Sequence, residues 1–159
     1  MTWPEKRIAI VGSRFGLGVN TLPFGSTTRP GLALEPEWRA QARASAEAAV
    51  LAYVSRLPSE CMLVSGGAVG VDSWARRANR SHRPFVELAP AWNGPSGSAA
   101  GLERNAWIVA LASSVVVFWD GRSRGSADTI RTAQAAGKLS AVYVYDEQAP
   151  NGRTLYQTP

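Results

Sequence analysis

The sequence holds one cysteine, Cys61, and one histidine, His82, in 159 residues. A lone cysteine excludes an intrachain disulfide and a cysteine-built zinc site. Cys61 opens a short apolar stretch and reads as a small core residue. His82 precedes an Arg-Pro boundary and reads as a loop residue. No Gly-x-Ser-x-Gly elbow accompanies it, so a serine triad is not expected. Lysine stands only at Lys6 and Lys138, which leaves the positive charge to arginine. No apolar run approaches membrane-spanning length, and the N-terminal stretch lacks a secretory apolar region, so a cytoplasmic protein is expected. Two nucleotide-binding signatures are also missing. No Gly-x-Gly-x-x-Gly follows the first strand at dinucleotide spacing, and no Gly-Lys-Ser/Thr occurs. Neither a resident cofactor nor a metal is expected.

What is present reads as one globular domain over residues 1–159, with 45% hydrophobic and 18% charged residues. The formal charge is +5 and the pI about 10.0, which favours an anionic partner. A phosphorylated small molecule and nucleic acid both satisfy that charge. Arginine suits bidentate phosphate contacts, while a GC-rich genome also enriches it.

Strands and helices alternate along the chain. Lys6–Val11 is an unbroken apolar run expected as a buried parallel strand. Glu37–Leu57 carries Trp38, Ala42, Ala46, Val50, Val54 and Leu57 at helical spacing, and Pro58 closes it. Strands are expected at Cys61–Val64, Phe85–Leu88, Ser114–Trp119 and Leu139–Tyr145. Helices are expected at Val69–Asn79, from Leu102 through Leu111, and at Ala127–Ala136, with Gly137 as the last stop. The predicted fold is therefore α/β, a three-layer Rossmann-like sandwich with a five-stranded, mainly parallel sheet. Phe15–Pro36 contains Gly16, Gly18, Gly25, Gly31, Pro23, Pro30 and Pro36 without periodicity, and is expected as a long loop insertion. Residues 146–159 are expected as a C-terminal tail.

Three strands end in glycine-rich turns. They are Gly12-Ser13-Arg14, the stretch Ser65-Gly66-Gly67-Ala68-Val69-Gly70-Val71-Asp72, and Asp120-Gly121-Arg122-Ser123-Arg124-Gly125-Ser126. In a parallel sheet all three fall along the carboxyl edge, where ligands bind. A helix N-terminus behind such a turn offers free N–H donors to an anion. Arg14 either reaches a ligand phosphate or sits in solvent. Arg76, Arg77, Arg80 and Arg83 form either a solvated basic face or an anion contact.

Four ordered motifs carry a family resemblance. They are Ile10-Val11-Gly12-Ser13-Arg14, Ser65-Gly66-Gly67-Ala68-x-Gly70-x-Asp72, Trp92 before Ala100-Gly101-x-x-Arg104-Asn105, and Phe118-Trp119-Asp120-Gly121-x-Ser123-x-Gly125-Ser126. Together they resemble the YspA/SRK-type family of the SLOG superfamily. That Rossmann-like group includes DprA (Smf) DNA-processing proteins and LOG-type nucleotide phosphoribohydrolases. The resemblance implies a nucleotide or nucleotide-derived ligand. It places Gly12, Ser13 and Arg14 at a first phosphate turn and Ser65, Gly66, Gly67 and Gly70 at a second. Asp72 would cap the second turn or hold a ribose. Arg104 and Asn105 would face the pocket, and Gly121, Ser123, Gly125 and Ser126 would cradle phosphate. Trp119 would either stack on a base or pack in the core. The resemblance also implies a homo-oligomer, most simply a homodimer.

The LOG-type fourth loop reads Pro-Gly-Gly-x-Gly-Thr-x-x-Glu, and its glutamate serves hydrolysis. Aligned on Gly125-Ser126, that position holds Thr129 here, while Asp128 projects about 100° away round a helix. The leading expectation is therefore a cytosolic binding protein or sensor for a nucleotide-type ligand. The alternatives are a nucleotide phosphoribohydrolase, with Asp72 or Asp120 as the substitute carboxylate, and DprA-like single-strand DNA binding. Against the last, no basic stripe interleaved with aromatics is visible.

Overall fold

The computed structural model describes residues 2–17, 35–80 and 82–159. Most of the 15–36 insertion lies outside the described residues. In chain order the elements are β1 (Arg7–Gly12), α1 (Glu37–Ser55), β2 (Met62–Ser65), α2 (Val71–Ala78), β3 (Phe85–Glu87), α3 (Ala100–Leu111), β4 (Ser114–Trp119), α4 (Arg124–Ala135), β5 (Leu139–Val144) and β6 (Arg153–Gln157). A short 3-10 turn, Gly97–Ala99, leads into α3.

The strands form one sheet in the order β3-β2-β1-β4-β5-β6. The pairs among β1 to β5 are parallel, and β6 runs antiparallel to β5. Strand order reverses at β1, which lies between β2 and β4. The central strands are apolar on both faces because each face carries its own helix layer. On one face Ile8, Ile10, Leu63, Val116 and Phe118 pack with Ala42, Ala46, Val50 and Val54 of α1 and with Trp74 of α2. On the other, Ala9, Val11, Val64, Val115 and Val117 pack with Ile108 and Val109 of α3 and Ala133 of α4. The alanines of α1 let its backbone approach the sheet closely. This is the α/β sandwich expected from the alternation of elements.

Several sequence expectations are corrected. The sheet has six strands, because the 146–159 tail supplies β6. That strand has no buried residue, so no hydrophobic pattern marked it. Its pairing with β5 and a turn held by Asp146 define it: Asp146 Oδ1 accepts from the amides of Gln148 and Ala149, and Oδ2 from Arg153. Helix α4 begins at Arg124 rather than Ala127, because Ser123 is its N-cap and accepts from the Ser126 amide. Helix α2 begins at Val71 rather than Val69, because Gly70 at φ 92° lies outside the helical region.

Arg83 is also corrected. It is buried, and its guanidinium donates to the carbonyls of Pro58 and Leu57 beyond the end of α1. Arg76 pairs with Glu87 at 3.2 Å, and Arg77 pairs with Glu47. The basic cluster is thus divided among separate structural contacts. Cys61 is fully buried in the core as expected, and burial raises its thiol pKa. His82 lies in the loop before β3, exposed and at φ 53°.

Candidate functional site

A cleft of about 470 Å³ opens at the carboxyl ends of the parallel strands, beside the reversal of strand order. Its walls come from four successive connections. The segment after β1 gives Gly12, Arg14, Phe15 and Gly16, and the turn after β2 gives Ala68 and Asp72. The loop into α3 and the helix itself give Trp92, Ser98, Gly101, Leu102, Arg104, Asn105 and Ile108. The turn after β4 and the start of α4 give Asp120, Ser123, Gly125, Ser126 and Thr129. Convergence of these connections follows from the sheet topology.

Ser13 is the joint beneath this cleft. It is 1% exposed and does not line the cavity. Its amide donates to Phe118 O at 3.0 Å, and its carbonyl accepts from Val71 N at 3.3 Å. Its hydroxyl accepts from Asp120 N at 3.0 Å and lies 3.2 Å from Ser126 Oγ. One buried serine thus binds β1 to the turn after β4 and to the starts of α2 and α4. Gly12 beside it is required by packing, since a Cβ there would overlap the Phe118 carbonyl.

In the turn after β2 three backbone donors are used internally. Ala68 N donates to Asp72 Oδ2 at 3.1 Å, Val71 N to Ser13 O, and Ser73 N to Ala68 O at 3.1 Å. Ser65, Gly66, Gly67 and Gly70 stand behind the cleft and do not line it. Gly67 and Gly70 hold positive φ, and all three glycines face close neighbours. A Cβ on Gly66 would lie 2.5 Å from Arg104 Nη1, one on Gly67 2.8 Å from Glu87, and one on Gly70 2.6 Å from Ser13 O.

Asp72 is 5% exposed, and its Oδ1 is buried without a hydrogen-bond partner. Burial pushes its pKa up to about 6, against the opposing pull of the Ala68 amide and the nearby Arg104 charge. Arg104 donates from Nη1 to Gly66 O at 2.5 Å and from Nε to Asn105 Oδ1 at 3.1 Å. Its pKa is lowered mainly by burial; Asp72 opposes that shift and Arg14 adds to it. Asn105 Nδ2 donates to Gly125 O and Asp128 Oδ2, each at 3.3 Å.

The turn after β4 is built differently. Asp120 Oδ1 accepts from the amides of Arg122 at 2.9 Å and Ser123 at 2.8 Å. Trp119 packs against the α3/α4 face of the core and donates from Nε1 to Ser123 O at 3.1 Å. It braces the turn from behind and does not line the cleft. Gly121, at φ 75°, likewise shapes the turn without lining the cavity. Ser123, Gly125 and Ser126 do line it.

Thr129, where the hydrolases' glutamate would stand, is buried at the cleft wall and donates to Gly125 O at 3.1 Å. Asp128 does not line the cleft; it accepts from Asn105 and pairs with Arg131 at 3.6 Å. Trp92, 54% exposed at the rim, was not singled out as a site residue, although it stood in the third motif. Its isolated position before a glycine-rich loop was the available signal. Among the described residues no cluster of histidine, cysteine or carboxylate groups could hold a metal ion. Among the described residues no helix is long and apolar enough to cross a membrane.

No protein-family model matches the chain, and no curated protein matches it. A solved structure does: DNA processing protein A from Helicobacter pylori, a protein with a described single-stranded DNA binding mode. The match has a TM-score of 0.52 at 20% identity and covers 89% of this chain. The matched region spans 65% of that chain, less than two thirds of its length. At this identity the likeness establishes the shared Rossmann-like fold.

Proposed function

We propose that the cleft binds a phosphorylated nucleotide-type ligand, with a phosphate against the first turn of α4 and the base toward Trp92. Gly125 is the observation that carries this reading. It is the second residue of α4, in the first turn after the N-cap Ser123, where backbone amides have no partner within the helix. No positive φ is recorded for it, and a Cβ there would meet nothing nearer than Ser123 Oγ at 4.0 Å. Packing therefore gives no reason for glycine at this wall of the cleft. A ligand that approaches the backbone closely does. The dipole of α4 and the charges of Arg14 and Arg104 favour an anion there. Trp92 offers an exposed aromatic ring at the same cleft.

Binding is favoured over N-glycosidic hydrolysis by the state of the candidate carboxylates. Asp120 Oδ1 is committed to its turn, Asp128 is outside the cleft, and Asp72, though it lines the cleft, keeps its unpartnered oxygen buried. We place this activity in a cytoplasmic homo-oligomer, in keeping with the family resemblance. The test is calorimetric titration with nucleoside monophosphates, using wild type and Gly125→Ala. Wild type should bind at or below about 1 mM. The variant should keep the stability of wild type yet bind at least about tenfold more weakly. Unchanged affinity in the variant, or no binding by wild type, rejects the reading.

A second reading, single-stranded DNA in the same cleft, is supported by the fold shared with DNA processing protein A. It predicts retention of a labelled oligonucleotide that weakens steeply with salt. Retention that is absent or insensitive to salt counts against it.

A further inference from the structure

Beside the cleft lies a smaller cavity of about 200 Å³, lined by Phe15, Gly16, Trp38, Arg39, Ala42, Asp120, Arg122 and Tyr145. Phe15, Gly16 and Asp120 line both cavities, so the two adjoin. Trp38 and Arg39 stand in the first turn of α1, on the opposite face of the sheet from α4. Arg122 reaches the same place from the turn after β4.

The small cavity has an unusual concentration of cations. The Arg39 guanidinium lies 5.4 Å from the Trp38 ring centroid, and the Arg122 guanidinium lies 5.5 Å from it. A ring face attracts a guanidinium, but two such charges beside one ring repel each other. Asp120 is a carboxylate on this wall, and its Oδ1 already accepts two amides; Glu35, paired with Arg43, also lies near enough to Arg39 to offset part of its charge. A dianionic group in this cavity would meet both arginines and draw on their planar donor geometry.

We propose that this cavity is a second anion subsite, and that the natural ligand is a nucleotide bearing a second phosphate remote from the one at α4. The proposal rests on the nucleotide reading of the main cleft. The second phosphate belongs either to a linear polyphosphate chain or to a separate ribose hydroxyl. Asp120 sits at the junction of the subsites, where its negative charge disfavours a phosphate and so separates the two anion positions.

Titration with AMP, ATP and an adenosine bisphosphate phosphorylated on two separate ribose hydroxyls tests this. The proteins are wild type and the double variant Arg39→Gln/Arg122→Gln, with thermal melts to confirm folding. At least one doubly charged probe should bind wild type about tenfold or more tighter than AMP. The double variant should bring that probe down to the AMP level while leaving AMP unchanged. ATP as the tighter probe identifies a polyphosphate chain, and the bisphosphate identifies the separate ribose position. Equal affinity for all three probes in wild type overturns the second subsite and leaves the nucleotide reading intact. So does loss of AMP binding in parallel with the others. If none of the three binds, the nucleotide reading and this proposal fall together. If a short oligodeoxynucleotide alone shows arginine-dependent binding, the subsite takes a phosphodiester chain and the proposal is overturned.

Discussion

The turns after β2 and β4 look alike as sequences and act differently as structures. Both are glycine-rich, both follow a buried strand, and both open a helix. After β2, the glycines let Arg104, Glu87 and the Ser13 backbone come close, and the amides of Ala68, Val71 and Ser73 bond within the protein. After β4, Gly125 meets no neighbour and faces the cleft. Glycine therefore has two uses here. One fills a space too small for a Cβ, and the other keeps a space open.

The comparison is broken most readily at Gly70. Its φ of 92° and its 2.6 Å approach to Ser13 O leave no room for a side chain. Gly70→Ala should cost about 3 kcal/mol or more in urea unfolding. A loss under about 1 kcal/mol would mean that the turn after β2 is not held by packing.

The next effect is set by Asp72. Its folded pKa of about 6 lies above the ordinary value of 3.8. The folded protein therefore holds the neutral carboxyl better than the ionised one. This contribution is complete below about pH 4 and is lost as pH rises through about 6, reaching about 3 kcal/mol. Asp72→Asn keeps an acceptor for Ala68 N and removes the titration. Thermal melts from acid to neutral pH should show wild type losing stability relative to the variant. Parallel curves would show that Asp72 ionises in the folded state as freely as in the unfolded chain.

The smallest stability effect belongs to Gly125. Gly125→Ala should change stability by no more than about 0.5 kcal/mol, against the large loss at Gly70→Ala. That contrast is the sharpest expression of the difference between the turns. A destabilised Gly125→Ala would assign Gly125 to packing and erase it.

Much of the architecture was legible because its signals are periodic or local. The α1 stripe and the β-branched runs of β1 and β4 each announce an element and its buried face. Alternation of strand and helix then fixes the parallel sheet and the edge where turns converge. Strand β6 was not legible, because Arg153–Gln157 buries nothing and exists through backbone pairing. At the site, Gly12, Arg14, Asp72, Arg104, Asn105, Ser123, Gly125 and Ser126 were named from sequence and do line the cleft. Ser13, Ser65, Gly66, Gly67, Gly70, Trp119 and Gly121 were named with them and stand behind or beside it. Sequence spacing shows which residues share a turn, but not which way each turn faces. The division of Arg76, Arg77 and Arg83 among separate partners was invisible for a related reason. Glu47 and the carbonyls of Leu57 and Pro58 are distant in sequence and close only in the fold.

The position of Ser13 has a kinetic and entropic consequence. Through its amide, carbonyl and hydroxyl it locks the floor of the cleft to elements on both faces of the sheet. The floor is therefore ordered when the chain folds, and an arriving ligand need not immobilise it. On the proposed reading, association is then governed by encounter and by the rim residues Trp92 and Arg14, with little reorganisation of the floor beneath them.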